Sequence, residues 1–351
     1  MPEPVIAAVK PCLATLVEGR TYAWCACGKS ARQPFCDGSH ASSGMEPIRF
    51  TAPRSEEALL CACKRTRTPP YCDGSHNALK GGYATMAPVE TDAMAPLAPR
   101  GGDGHPTSQL DGGCFVRTLD SKRSATRGPL CMISAIGADD GAHLLSAFKA
   151  TMRRGRSEPF HFPGAETVAF VISGAPVFLI DGKRHEAAPE TGVLILSGET
   201  LEIENDGADD AQIILTVCPA LKNPEWRPAP PHAAGGPAIR AFGVDPTQRK
   251  AMADRFYQVL NGPENGSRET TQFIGEIPLS RAEPHQHLYE EAIVILSGEG
   301  YMHTATMRAA VAPGDIIFLP RKQLHSLECV SPGGMRLMGA FYPAGSPALN
   351  Y

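Results

Sequence analysis

"CACGKSARQPFCDGSH", residues 25–40, is followed 36 positions later by "CACKRTRTPPYCDGSH", residues 61–76. Each copy has two cysteines separated by one residue, then a third cysteine, and ends with a histidine four residues beyond that cysteine. The residues that recur at this offset are Cys25, Cys27, Cys36 and His40 in the first copy and Cys61, Cys63, Cys72 and His76 in the second. Cysteines and histidines clustered at fixed spacing are typical of metal sites, so the repeat predicts two equivalent ones.

Two kinds of metal site suit this donor set. Three cysteines and one histidine can form a tetrahedral structural zinc site, although zinc sites usually use cysteine pairs with two to four residues between them. In the other arrangement, the closely spaced cysteine pair binds one iron, and the third cysteine and the histidine bind a second iron. The one-residue spacing of the pair favours the two-iron cluster, with zinc as the alternative.

The complete string, C-x-C-x2-[ST]-x3-P-x-C-D-G-S-H, resembles the CDGSH iron–sulfur family, the mitoNEET-like proteins, at every defining position of both copies. The resemblance covers about residues 5–82 and implies a small β-rich domain of the tandem, monomeric type. It also implies that the cysteines and histidines named above hold two [2Fe–2S] clusters near the surface. One histidine ligand per cluster implies a reduction potential between roughly −400 mV for all-cysteine plant-type clusters and roughly −150 to +300 mV for Rieske centres.

The composition of the chain excludes several classes of protein. Its 351 residues are too many for a single core, so we expect two or three domains. A net charge of −4 argues against a nucleic-acid partner or a polybasic membrane arm, and no apolar run reaches transmembrane length. Pro2, Glu3 and Pro4 stand where a signal peptide would carry positive charge. We therefore expect a cytoplasmic protein that binds neither nucleic acid nor membranes.

Proline-rich segments predict the domain boundaries. Residues 84–112 and 219–238 are rich in proline and lack a hydrophobic period, so each is expected to be a linker. They divide the chain into a tandem CDGSH domain at 1–83 and two further domains at 113–218 and 239–351.

The two further domains are predicted to be β-barrels. Short β-rich runs such as "TVAFVISG" (167–174) and "EAIVILSG" (291–298) end in glycine turns, the pattern of barrels and jelly rolls. One helix is predicted within residues 245–262, since Asp245 can cap it and Pro246 suits its first turn. The predicted fold class is mainly β, a small β-rich tandem domain followed by two jelly-roll barrels.

The last domain carries a second set of metal-binding side chains. His285 and His287 alternate along a predicted strand, so both imidazoles point to one face, and Glu291 follows four residues later. His325 lies five residues after Pro320, at the end of another β-rich run. Three imidazoles and one carboxylate suit a mononuclear first-row divalent metal with open positions. The alternative is a group of buried structural histidines.

These residues lie in two strings that resemble the motifs of the cupin family. H-x-H-x3-E-x6-G ends at Gly298, and G-x5-P-x4-H begins at Gly314, with Lys322 where the second motif has a glycine. The resemblance implies a cupin barrel whose metal is held by the three histidines and the glutamate, with iron(II) as the expected ion.

The preceding domain repeats the pattern without its ligands. "SEPFHFPGAETVAFVISG" (157–174) aligns with "AEPHQHLYEEAIVILSG" (282–298) after one insertion. The positions of the four ligands are then occupied by Phe160, Phe162, Thr167 and, near the position of His325, Glu202. The cupin resemblance covers roughly residues 113–345, and it implies a first barrel that has lost its metal site.

The combination of motifs predicts an oxidoreductase. A monooxygenase must import two electrons to convert one oxygen atom of O2 to water, whereas dioxygenases and isomerases need no electron supply. We therefore expect a non-haem iron(II) oxygenase of the monooxygenase type, with electrons relayed from an external reductase or ferredoxin through two [2Fe–2S] clusters. The expected substrates are O2 and a small metabolite bearing a carboxylate or an amine. A homodimer is compatible with this scheme.

Three further residues are candidate catalytic side chains. Arg321 and Gln323 precede His325, and Tyr289 follows His287 by two residues. For Arg321 and Gln323 the simpler interpretation is a surface loop. Two other functions stay open, a cupin dioxygenase or metal-dependent isomerase with sensory or structural clusters, and a non-catalytic redox or iron sensor. Dependence of turnover on an electron donor distinguishes them.

Overall fold

The computed structural model describes residues 3–52, 55–66, 68–72, 75–79, 95–101, 106–119, 125–230 and 236–347. The chain divides into two compact units, Met1–Ala87 and Pro88–Tyr351. Regular structure in the described residues consists of β-strands and short 3-10 turns, which confirms the prediction of a mainly β protein. None of the described helical segments is long and apolar enough to cross a membrane.

The first unit exchanges strands between the two copies of the repeat. Its strands are β1 (Cys12–Leu16), β2 (Thr21–Trp24), β3 (Ile48–Thr51) and β4 (Glu56–Leu60), and its 3-10 turns are Ser39–Ser42 and Ser75–Leu79. β1 and β2 lead into the first motif, and β3 and β4 lead into the second. However, β1 pairs antiparallel with β4, and β2 pairs with β3. Each two-stranded sheet therefore takes one strand from each copy, so the two copies are interlocked.

The second unit contains two barrels. The first barrel is formed by β7 (Ala125–Arg127), β8 (Leu130–Ile136), β9 (Ser146–Met152), β10 (Gly155–Arg156), β11 (Glu166–Ser173), β12 (Val177–Ile180), β13 (Lys183–Glu186), β14 (Gly192–Ile195), β15 (Leu201–Asn205), β16 (Ala211–Cys218) and β17 (Ala241–Phe242). Its strands form a seven-stranded sheet in the order β17-β14-β11-β16-β9-β8-β7 and a four-stranded sheet in the order β10-β15-β12-β13.

The second barrel repeats this arrangement. It is formed by β5 (Thr107–Gln109), β6 (Phe115–Thr118), β18 (Lys250–Met252), β19 (Arg255–Asn261), β20 (Thr271–Ile277), β21 (Glu290–Ser297), β22 (Gly300–His303), β23 (Arg308–Val311), β24 (Asp315–Leu319), β25 (Ser326–Cys329) and β26 (Met335–Tyr342). Its sheets have the orders β18-β19-β20-β26-β21-β24-β6-β5 and β23-β22-β25. Four 3-10 turns of the unit lie at Asp111–Gly113, Ala138–Asp140, Pro246–Gln248 and Pro263–Asn265.

Alternating side chains explain how the two barrels share a core. In β11, Val168 and Phe170 join a cluster that also includes Ala292 and Val294 of β21, so these residues pack between the barrels. The residues in between point the other way, into the interior of their own barrel. Because β11 and β21 are buried on both faces, their sequences read as continuous apolar runs rather than as an alternation.

Two buried carboxylates connect the barrels reciprocally. Glu290, the first residue of β21, accepts hydrogen bonds from the backbone N–H groups of His143, Leu144 and Leu145 in the first barrel, at 2.8 to 3.3 Å. Glu166, the first residue of β11, accepts hydrogen bonds from the backbone of 268–270 in the second barrel, at 2.8 to 3.3 Å. We call this pair the carboxylate clasp. The first residue of β11 is therefore hydrogen-bonded to the second barrel, and the first residue of β21 is hydrogen-bonded to the first barrel.

The predicted boundary at 113 differs from the structure. β6 precedes the first barrel in sequence but pairs with β24 of the second, with Asp315 opposite Thr118. β5 extends the same sheet, and the guanidinium of Arg100 lies 2.9 Å from the Asp315 carboxylate. Residues 95–112 of the predicted linker therefore include parts of the second barrel, apart from 102–105, which lie outside the described residues. The pairing is made over about two hundred residues of sequence, so no local signal indicates it.

The predicted helix within 245–262 is wrong. Asp245 does cap a turn, since its Oδ1 accepts a hydrogen bond from the backbone N–H of Thr247 at 2.9 Å, but this turn ends at Gln248. The rest of the segment forms β18 and β19, and β19 pairs with β20 in the main sheet. The Phe, Tyr and Val side chains of β19 favour a β-strand. The hydrogen-bonded pairing of β19 with β20 stabilises the strand more than the capping residues stabilise a helix.

Candidate metal centres

The fold brings together the three predicted histidines of the second barrel. One nitrogen of each imidazole lies within 4.8 Å of the others, and in the described ranges no other group of three or more His, Cys, Asp or Glu side chains is so close. His285 and His325 face each other as an isolated β-bridge, with reciprocal backbone hydrogen bonds of 3.0 and 2.9 Å. His287 and His325 are buried.

Backbone carbonyls determine which nitrogen of two imidazoles is free. The Nδ1 of His285 lies 2.8 Å from the carbonyl oxygen of Glu283, and the Nδ1 of His325 lies 2.8 Å from that of Gln323. A carbonyl oxygen can only accept, so each Nδ1 carries the proton and donates it. Nε2 is left with an available lone pair, the arrangement found in histidines that bind metals.

Burial keeps these histidines neutral. It lowers the pKa of His285 to about 4 and lowers the pKa values of His287 and His325 well below the usual range, and the neighbouring imidazoles lower the latter two further. Only neutral imidazole can bind a metal, so the ligand form is present at neutral pH.

The predicted ligand Glu291 lies beside one of the three histidines. Its Oε2 lies 3.6 Å from the Nε2 of His287, and both side chains are buried. Burial raises the pKa of Glu291 to about 8. An ionised carboxylate at this depth requires a nearby cation, and a metal ion held by the three imidazoles, one of which lies beside Glu291, would provide it. The donor set therefore fits a mononuclear divalent metal.

Aromatic rings hold the ligand strand. The ring of Tyr289 stacks on the imidazole of His287 at 4.3 Å and on the ring of Phe341 at 4.0 Å, between nearly parallel planes. Gly339, which no sequence motif indicated, lies two residues before Phe341 and pairs with Phe273 and Ile293 of the neighbouring strands. A Cβ there would lie 2.3 Å from Phe273 and 3.1 Å from Oε1 of Glu291. An isolated glycine inside the apolar run of β26 was the available signal.

Arg321 and Gln323 make contacts that position the ligand segments. The Nε of Arg321 donates to the carbonyl oxygen of Leu288 at 2.6 Å, and the backbone N–H of Lys322 donates to that of His287 at 2.7 Å. The side-chain amide of Gln323 donates to the carbonyl oxygen of Leu324 at 2.8 Å. These contacts tie the loop before His325 to the segment after His287, and a direct catalytic part for Arg321, Gln323 or Tyr289 stays a prediction.

The first barrel has apolar side chains at the equivalent positions. Phe160 and Leu201 form the bridge that corresponds to His285 and His325, so Leu201 is the true counterpart of His325 and the alignment to Glu202 is wrong. Glu202 instead forms a bidentate ion pair with Arg156, at 2.8 Å. The displacement is one residue, which turns a side chain to the other face of the strand. Phe160 packs on Phe162 and on Trp226 inside the barrel.

The cysteines and histidines of the first unit are arranged as pairs. In the first copy, Cys25 and Cys27 have their sulfurs 3.8 Å apart, and the sulfur of Cys36 lies 3.1 Å from Nδ1 of His40. In the second copy, the corresponding distances are 3.5 Å and 3.3 Å. The backbones match as well, since the N–H of Cys25 donates to the carbonyl of Pro34 at 2.9 Å and that of Cys61 donates to the carbonyl of Pro70 at 2.9 Å.

This pairing distinguishes between the two metal sites that the sequence allows. A tetrahedral zinc ion with zinc–sulfur bonds of about 2.3 Å holds all its ligand atoms within about 3.8 Å of one another. In the described part of the chain, no three cysteine or histidine ligand atoms of the first unit lie within 4.8 Å of one another. Two separated pairs fit two irons, one for each pair, better than a single zinc ion.

The two sites lie in two parts of the chain that match two different protein families. The comparisons with known proteins agree. The family described as "Iron-binding zinc finger CDGSH type" matches residues 7–41, and the family described as "Cupin domain" matches residues 277–341. The recognition of both families from the sequence is confirmed.

Known relatives cover the first unit. Over 52 residues, or 14% of this chain, the sequence is 50% identical to mouse CDGSH iron-sulfur domain-containing protein 3, mitochondrial. The human protein of that name is 50% identical over 50 residues. The matches span 38% of the mouse protein and 39% of the human protein.

Solved structures support the bicupin fold of the second unit. The E. coli protein Ylba aligns with a TM-score of 0.53 and 18% identity, covering 67% of this chain and 93% of its own. A single-site mutant of Bacillus subtilis oxalate decarboxylase aligns with a TM-score of 0.53 and 11% identity, covering 76% and 86%. Procruciferin, an 11S globulin of Brassica napus, aligns at 0.52 with 11% identity, covering 66% and 85%. Such different proteins share the fold alone.

Proposed function

We propose that this protein is a non-haem iron oxygenase of the monooxygenase type that receives its electrons through two [2Fe–2S] clusters. The reaction is substrate–H + O2 + 2 e⁻ + 2 H⁺ → substrate–OH + H2O. Each cluster carries one electron, so the two motifs together hold the two electrons that one turnover needs. An external reductase or a ferredoxin supplies them.

One observation carries this proposal, namely that the paired cysteine and histidine donors and the three-histidine group with Glu291 beside His287 belong to one polypeptide. Cupin enzymes that cleave rings or isomerise substrates need no electron supply, so their turnover does not require an attached pair of one-electron carriers. In a monooxygenase the two clusters would supply the two electrons that each turnover consumes.

Iron(II) bound in the second barrel would supply the one-electron chemistry that activates O2. The side chains of the barrel keep the donor atoms in place. Carbonyl oxygens hold the imidazoles of His285 and His325 by their Nδ1–H groups, and the carboxyl of Glu291 provides the negative charge. The stack of Tyr289 between His287 and Phe341 limits the access of water from that side.

The remaining parts of the proposal concern substrate and location. Arg321 and Gln323 lie on the loop before His325, and a basic and an amide side chain there suit a small metabolite that carries a carboxylate or an amine. We place the protein in the cytoplasm, with a soluble electron donor as partner. The name of the mouse and human relatives describes those proteins as mitochondrial, and the match covers too little of this chain to extend that location to it.

A double variant tests the electron supply. Cys36→Ser with Cys72→Ser removes one ligand from each cluster, and both wild type and variant are loaded with iron in the cupin site. Candidate metabolites are screened with an electron donor, and O2 consumption and product are measured. We expect turnover in the wild type and its collapse in the variant, with substrate affinity retained. Full turnover by the cluster-free variant without a donor would refute the proposal and favour a dioxygenase or an isomerase.

A further inference from the structure

The two copies of the motif differ at three positions that meet in space. At the 36-residue offset, Leu60, Lys64 and Pro69 of the second copy stand where the first copy has Trp24, Gly28 and Gln33. The side chains that come together are Trp24, Gln33 and Lys64, two from the first copy and one from the second. We call them the intercluster bridge.

Hydrogen bonds connect the intercluster bridge to a cysteine of each motif. The Nζ of Lys64 donates to Oε1 of Gln33 at 2.8 Å and to the carbonyl oxygen of Cys61 at 3.0 Å. The indole N–H of Trp24 donates to the same carbonyl at 2.9 Å, and the Nζ lies 4.4 Å from the centre of its ring. The amide of Gln33 then donates to the sulfur of Cys25 at 3.4 Å. A continuous path joins Cys25 to Cys61.

Lys64 occupies its position at a cost in stability. Its backbone is left-handed, with φ of +62°, and Gly28 has the same conformation in the first copy, with φ of +78°. A non-glycine residue is strained in this conformation, because its Cβ crowds the following carbonyl oxygen. The residue is also only 7% exposed, and its ammonium lies between the carbonyl oxygen of Cys61 and the side chain of Gln33. A strained and buried cation that replaces a tolerated glycine indicates a role for its charge.

We propose that Lys64 and Gln33 are positioning residues that raise the reduction potential of the cluster at Cys25. The hydrogen bond from Gln33 to the sulfur of Cys25 has no counterpart from Pro69 in the second copy, so it gives electrons a direction from the second copy to the first. A reduced cluster carries one more negative charge, which a buried cation and a hydrogen bond to a ligand sulfur both stabilise. Pro69, the counterpart of Gln33, has no side-chain donor, so Cys61 lacks the equivalent bond. The inference rests on the proposed function, because it requires a cluster in each copy.

Redox titration of the full chain, followed by EPR, tests the inference. Lys64→Gly restores the residue that the first copy tolerates at this left-handed position, so the fold should survive. We expect the one-electron reduction equilibrium of the first cluster to fall about tenfold, which corresponds to about 59 mV. Gln33→Leu should lower the reduction potential of the first cluster and leave that of the second unchanged. Lys29→Met is the matched control, since it removes an exposed charge two residues from Cys27 that solvent and salt already screen.

Titrations in His40→Cys and His76→Cys backgrounds assign each potential to its copy. Unchanged potentials in Lys64→Gly and Gln33→Leu, with both clusters present, would overturn the inference and leave the proposed function intact. An equal shift in Lys29→Met would also overturn it, because any nearby charge would then suffice. A colourless protein without clusters would overturn the proposed function together with the inference.

Discussion

Neutral imidazole is the form of histidine that binds metals, and the second barrel imposes that form through burial and carbonyl contacts at Nδ1. The sequence predicted the identity of these side chains because alternation along a strand and motif spacing are local properties. It did not predict the stacked Tyr289 and Phe341 or the need for Gly339, because those contacts join residues about fifty positions apart.

Removal of the His287 imidazole should abolish binding of the mononuclear metal without affecting the clusters. We expect His287→Ala to lose the mononuclear metal while the iron and sulfide of the clusters remain. Phe160→Ala is the control from the first barrel, where it should leave metal content unchanged and lower the free energy of unfolding by about 3–5 kcal/mol, since the ring is fully buried. Metal analysis and denaturant unfolding measure both effects. Loss of metal in the Phe160 variant would contradict the assignment.

Glu291 should make metal binding depend on pH. Its carboxyl, with a pKa raised by burial to about 8, holds a proton at pH 7 in the metal-free barrel and must release it to become a ligand. Affinity should therefore rise about tenfold per pH unit up to about pH 8 and level off above it. The neutral histidines add no slope above pH 6.5. Metal titrations with proton release, on protein with loaded clusters, measure the slope.

Glu291→Gln is the control for this pH dependence. It should bind metal more weakly, and the slope between pH 6.5 and 8 should disappear. The same raised pKa, against 4.5 for an exposed glutamate, means that the folded metal-free barrel binds a proton that the unfolded chain releases. Glu291 alone should therefore lower the stability of that barrel as the pH rises from about 4.5 to about 8, whereas the three histidines with lowered pKa values change stability in the opposite direction below about pH 6.5. The net fall in stability should appear between about pH 6.5 and 8. An unchanged slope in the variant would exclude Glu291 as the titrating ligand.

Among the strands, pairing between distant parts of the chain occurs in both units. β1 with β4 interlocks the motif copies, and β6 with β24 completes the second barrel with a strand from before the first. The sequence predicted that strands exist and where most of them lie, because hydrophobic runs and glycine turns are local. It failed for pairings between distant strands and for β19, where local capping signals at Asp245 and Pro246 compete with a ladder.

The carboxylate clasp should link the first barrel to the metal site. Glu290 lies next to Glu291 and accepts three backbone N–H groups of the first barrel, so Glu290→Gln should destabilise the second unit by about 2 kcal/mol. We also expect weaker metal retention, because the start of β21 loses its anchor. Glu166→Gln breaks the equivalent hydrogen bonds at the start of β11, a strand without metal ligands. It should therefore destabilise the second unit by a similar amount and leave metal affinity unchanged. Equal metal loss in both variants would contradict this role of Glu290.

At the scale of the whole molecule, the chain joins a unit suited to one-electron carriers to a unit suited to a mononuclear metal. The fold of the second unit is shared with an 11S globulin as well as with an oxalate decarboxylase, so the fold does not define a reaction. The functional claim therefore depends on passage of electrons between the units, which requires that a cluster come close to the cupin metal during turnover.

That passage can be measured without knowing the substrate. Protein with ferric iron in the cupin site is mixed with a reductant under anaerobic conditions, so that its clusters become reduced. Samples are frozen at successive times and measured by EPR. We expect the high-spin ferric signal and the reduced-cluster signal to decay together, and we expect the ferric signal to persist in the variant with Cys36→Ser and Cys72→Ser. A ferric signal that remains stable beside fully reduced clusters in the wild type would contradict the electron relay.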